Sequence, residues 1–139
     1  MAGENTLPNE HYPDYFEVVS FPFYHAMVKS TTNTLPLMYV EARATNGTGI
    51  VVDSITFGVN VVETAADTAQ IISAATPQAT SGTALHATAC ALDALGTTTV
   101  TVDPANNFVP AGNWLLLKAS DSLGQVHGSV TIRFRSRLK

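Results

Sequence analysis

The side chains able to do chemistry are few and scattered. The four histidines, His11, His25, His86 and His127, sit in four separate segments. None is spaced as His-x-His or His-x-x-x-His, and no Cys-x-x-Cys occurs, so the paired ligands that usually mark a zinc site are missing. Asp53, Asp67, Asp93, Asp103 and Asp121 are each isolated, whereas a calcium loop needs carboxylates at alternate positions. Asp103 before Pro104 and Asp121 before Ser122 read better as turn residues. There is no Gly-x-Ser-x-Gly elbow and no phosphate-binding glycine loop. No two acids are placed together as a glycosidase pair would require. A Ser/His/Asp triad assembles from distant segments, so any chain with serines and histidines passes that test and it decides nothing. The single cysteine, Cys90, lies among Ala87, Ala89, Ala91 and Leu92 and reads as a buried thiol acting as a small hydrophobe. No catalytic, metal or cofactor residue is assigned, and the expectation is a protein that is not an enzyme and takes no cofactor.

Charge is informative by its placement. Charged residues make up only 13% of the chain, about half the usual share, and the net charge is −4. Four of the eleven acids, Glu4, Glu10, Asp14 and Glu17, fall in the first seventeen residues. Four of the seven bases, Arg133, Arg135, Arg137 and Lys139, fall in the last seven. Three readings of this basic stripe stay open. It is a solvated face on an edge strand, where charge discourages unwanted pairing. Or it is an interface that meets acidic groups, with Glu4, Glu10, Asp14 and Tyr15 on one side and Arg133, Arg135, Arg137 and Lys139 on the other. Or it touches nucleic acid, which an acidic chain without interleaved aromatics makes the weakest of the three.

Trp114 with Phe108, Tyr15 and Tyr24 is a candidate sugar-stacking platform; the competing reading places Trp114 in the core beside Leu115–Leu117. Asn46-Gly47-Thr48 matches a glycosylation sequon but reads better as a hairpin turn.

The elements that would hold these residues read as strands. Residues 1–14, with Pro8 and Pro13 and no apolar period, are expected to form an extended arm, followed by one domain over 15–139. Tyr15–Phe21 and Phe23–Lys29 are strand-like, with Pro22 expected to interrupt them. Leu37–Arg43 alternates loosely. In Ile50–Val62 the odd positions Val51, Ile55, Phe57, Val59 and Val61 are apolar, with Asp53 the exception. Ala65–Ala75 is either a short helix or a strand seeded at Ile71-Ile72, and Leu85–Leu92 is equally ambiguous. Thr97–Val102 is a strand ended by Asp103-Pro104. Val109–Gly112 is a turn that delivers the strand Asn113–Ala119, and Asp121–Gly124 is another turn. In the last strand Val126, Gly128, Val130, Ile132 and Phe134 share one face, and His127, Ser129, Thr131, Arg133, Arg135 and Arg137 the other. Eight or nine strands at short spacing predict an all-β, antiparallel β-sandwich, jelly-roll-like, with an extended N-terminal arm. No run approaches the length of a membrane-spanning helix, and the start lacks the basic and apolar regions of a secretory signal, so synthesis in a cytoplasm is expected.

Three phrases in the C-terminal third carry a resemblance: Val109-Pro110-Ala111-Gly112-Asn113-Trp114-Leu115, the strand from Thr97 to Val102, and Gly128-Ser129-Val130-Thr131-Ile132-Arg133-Phe134-Arg135. In these the chain resembles the small jelly-roll or β-sandwich decoration (cement) proteins that coat the capsids of tailed bacteriophages. The resemblance implies a structural protein on the capsid exterior of a virion. Its partners would be major capsid protein subunits and copies of itself, most often as a trimer, with neither membrane nor specific nucleic acid involved. The alternative is a glycan-binding fibre, spike or lectin-like module.

Overall fold

The structure is a computed structural model that describes residues 16–24, 28, 32–41, 47–62, 67–120 and 126–138. The expected arm, and with it Glu4, Glu10, Asp14 and Tyr15, lies outside the described residues, as do Lys139 and the turn at 121–124.

Ten strands follow one another: β1 (Glu17–Tyr24), β2 (Thr34–Tyr39), β3 (Gly47–Val61), β4 (Thr68–Ala74), β5 (Thr83–Ala84), β6 (Cys90–Ala91), β7 (Gly96–Val100), β8 (Phe108–Pro110), β9 (Trp114–Ala119) and β10 (His127–Leu138). Sheet A has the order β1-β10-β3-β7, with β8 also on β3; sheet B has the order β2-β9-β4-β5, with β6 also on β4. All pairings are antiparallel. The chain alternates between the sheets from β1 to β4, and its last strand lies between its first and third. This is the strand order of a jelly roll, two Greek keys folded into a sandwich. The ambiguous segments resolve accordingly: 68–74 is a strand, and 85–92 is irregular apart from β6.

Between the sheets lies one core. Phe23, Phe57 and Phe134 are fully buried there with Ile50, Ile55, Ile71, Leu85, Leu92, Leu115 and Leu117. Each such side chain contributes roughly 1.5–3 kcal/mol relative to an exposed one. The rings of Phe23 and Phe57 meet edge to face at 6.5 Å.

Several expectations are corrected. Pro22 does not interrupt a strand: β1 runs through it, opposite Ser129. It can do so because, among the described residues, β1 pairs only with β10, and an edge strand has no partner for the N–H that proline lacks. The Asn46-Gly47 signal does not close a hairpin, because β2 and β3 belong to different sheets. In β3 the buried positions are Ile50 and Val52, then Ile55, Phe57 and Val59. The phase changes because Asp53 is a bulge: Arg133 pairs with Ser54, and the next residue, Phe134, pairs with Val52. A second bulge at Asn60 leaves Val61 opposite exposed His127, so Val61 leaves the core face.

Candidate functional site: the open face of sheet A

The two outer faces of the sandwich are treated differently. On sheet B the outward residues Ile72, Ala74 and Leu116 are buried in a cluster of their own, against Ala79, Ala84 and Trp114. The segment between β4 and β5 folds back to cover them. The Lys118 ammonium fastens it, donating to the Thr80 carbonyl at 2.8 Å and to the Thr32 carbonyl at 3.0 Å. Trp114 is half-buried there and packs on Tyr39 at 5.3 Å. The sugar platform of Trp114 with Phe108 and Tyr24 is therefore not assembled: β1 and β8, which carry Tyr24 and Phe108, belong to the opposite sheet.

Sheet A carries no such cover among the described residues. Strand register orders its outer face into rows. At one end stand Tyr24, His127 and Val61. The middle rows hold hydroxyls and no charge: Ser20 beside Thr131 with Thr56 beside Thr99, then Pro22, Ser129, Gly58 and Thr97. The hydroxyls of Ser20 and Thr131 are 2.7 Å apart, and those of Thr56 and Thr99 2.9 Å. At the far end stand Val18, Arg133 and Ser54, then Arg135. The face is thus graded from aromatic, through hydroxyl, to cationic.

The cationic end contains the described part of the expected basic stripe. The Arg133 guanidinium lies over the Phe16 ring at 3.7 Å, a cation–π contact. Arg135 approaches Asp53 at 3.7 Å and keeps 43% of its side chain exposed, so this ion pair is loose. Arg137 is opposite Gly49 in the register. The edge-strand reading of the stripe is overturned, because β10 is flanked by β1 and β3 and is an interior strand of the sheet. Charge here does not guard an edge. The acid beside Arg135 is Asp53, brought by the bulge, which has no signature beyond the break in the β3 alternation.

At the aromatic end the Tyr24 and His127 rings stack at 5.6 Å with 32° between planes. Tyr24 is 40% exposed and Val61 41%, so apolar surface remains open there. Next to this row a shallow, solvent-open depression of about 380 Å³ lies across β10, β3 and β7. Its lining includes Gly58, Gly96 and Gly128, which bring no side chain, with Asn60, Thr97 and Ser129. Sequence reasoning missed this place, because its glycines come from three strands far apart in the chain.

Two further reactive side chains, His86 and Cys90, are held inside. His86 is fully buried: its Nε2 accepts the Ile71 N–H at 2.9 Å, so Nδ1 carries the proton and donates to the Thr88 carbonyl at 2.8 Å. Burial holds its pKa below the ordinary histidine value, against the raising effect of the Thr88 hydrogen bond. Cys90 is buried, and burial, followed by the nearby Asp93 charge, pushes its thiol pKa up. Asp103 acts as the turn residue expected of it, accepting from the Ala105 N–H and the Asn106 amide, both at 2.9 Å. Among the described residues no three His, Cys, Asp or Glu side chains gather where they could hold a metal ion. Compared with known proteins, the chain matches no family model and no curated sequence.

Proposed function

We propose that this chain is an assembly protein of the capsid-decoration (cement) type, bound across neighbouring major capsid protein subunits as a homo-oligomer on the outside of a virion. The observation that carries this reading is the polarity of the open sheet A face. Its cations stand at one end, and the chain enters β1 at that same end, where Phe16 lies under Arg133. The acids Glu4, Glu10 and Asp14 precede that entry point in sequence. A domain so arranged attaches by one end, with the first fourteen residues reaching a neighbouring subunit, and turns its uncharged end outward. Each copy that bridges two shell subunits must be lost before the shell opens, so binding stabilises the closed shell by mass action.

Quantitative mass spectrometry of sedimented particles tests this. Co-sedimentation with a shell protein at comparable copy number is the expected result. A chain lacking residues 1–14 should keep its thermal unfolding midpoint and bind shells more weakly. Recovery of the full chain only in the soluble fraction, or unchanged attachment of the truncated one, overturns the reading.

A further inference from the structure

We infer that the depression beside Tyr24 and His127 is a binding site for a neutral saccharide. The lining and the row of side chains beside it together supply what a sugar needs. A pyranose presents C–H groups on a face and hydroxyls around its rim. An aromatic ring takes the first, and uncharged amide and hydroxyl groups take the second. Here the stacked pair of Tyr24 and His127, in the row of the sheet next to the depression, offers a partly exposed ring. Asn60, Thr97 and Ser129 offer one carboxamide and two hydroxyls. Gly58 and Gly96 bring no side chain to fill the depression, and a Cβ at Gly96 would meet nothing within 4 Å.

The volume of about 380 Å³ falls at the small end of the range for ligand sites, large enough for a disaccharide. The cations Arg133 and Arg135 stand at the opposite end of β10, so nothing in the lining calls for an anionic sugar.

All the lining residues belong to one copy, so the site stands or falls apart from the decoration reading. It lies at the end that reading turns outward. A sugar bound there would come from a surface the particle meets, not from the shell.

The test uses the isolated full chain, labelled with ¹⁵N and titrated into the millimolar range with maltose, lactose and chitobiose, and separately with a sialylated lactose. The expected result is that at least one neutral disaccharide shifts the amide signals of Gly58, Asn60, Gly96 and Thr97. Tyr24→Ala removes the ring. Gly58→Ala fills the depression with a methyl group that meets Ser129 Oγ at 3.4 Å, an ordinary contact, so this variant keeps its fold. Each should weaken binding about tenfold or more with an unchanged unfolding midpoint. If Tyr24→Ala proves unstable, Gly58→Ala alone decides. The proposal is overturned if no neutral probe shifts these amides, or if Gly58→Ala binds as well as the parent chain. It is also overturned if only the sialylated probe binds, with its shifts at Arg133 and Arg135.

Discussion

His86 shows what a histidine is for when it does no chemistry. Sheet B needs an acceptor for the Ile71 N–H at a point where β5 has ended, and the imidazole supplies it. The ring also stands edge-on to Phe57 at 6.0 Å, tying the 85–92 segment to the core. Only the neutral ring can accept that N–H. In the unfolded chain His86 returns to its ordinary value of 6.5, above its value in the fold. Between the two the unfolded state binds more protons, so stability is complete above that ordinary value and falls as pH drops through the window. Urea midpoints measured from pH 7.5 to 5 should therefore decline. His86→Phe should lose about 2–4 kcal/mol at neutral pH, because it leaves the Ile71 N–H and the Thr88 carbonyl without their partner. It should also show a smaller decline in that interval, and an equal decline would mean that another group carries it. Nothing in the spacing of His86 distinguished it from the other three histidines, since its partners come from the fold. Cys90, surrounded by small apolar neighbours, was legible as a buried thiol for the opposite reason: its environment is local.

At the scale of elements, the strands with a clean period of two were readable and those with a phase change were not. β10 buries Val130, Ile132 and Phe134 and turns out Ser129, Thr131 and Arg133, as its alternation predicts. β3 looked equally regular, and Asp53 looked like an exception within one phase. It is the point where the phase flips, which a pattern of residue types cannot distinguish from a stray polar residue. Excising Asp53 should consequently be mild. Ser54 would follow Val52 in simple alternation, with Val52 still opposite Phe134 and Ile50 still inward. Such a deletion should unfold cooperatively with a loss of about 1–3 kcal/mol, including the loose Arg135 ion pair. Deleting Thr56 instead, between the two bulges, reverses every inward side chain on one side of the cut and should abolish folding. Circular dichroism melts of the two deletions check this, and equal tolerance would mean the register slips freely. The strand prolines Pro22, Pro36 and Pro110 also make sense only here. Each lies in a strand with one pairing partner, where proline discourages further strands from adding to the sheet.

For the whole molecule, composition and turn spacing were enough for an antiparallel sandwich, but not for which strand neighbours which. The misleading Asn46-Gly47 signal shows why: turn chemistry is local, while a jelly roll sends successive strands to different sheets. The same topology sets the folding rate. Glu17 must find Phe134, and Gly49 must find Arg137, before sheet A closes. Refolding from urea, followed by Trp114 fluorescence in stopped flow, should take milliseconds to seconds, and a microsecond phase carrying the full amplitude would contradict it. Pairing of the first strand with the last has a practical corollary. The start of β1 and the end of β10 lie at the same, cationic end of the sandwich, remote from its aromatic end. The turn at Asp93–Leu95 enters β7 at the aromatic end, and Leu95 there is 66% exposed. An epitope or enzyme inserted in that turn would therefore stand at the end of the sandwich away from both of these strand ends, in the kind of exposed loop tip that tolerates insertion.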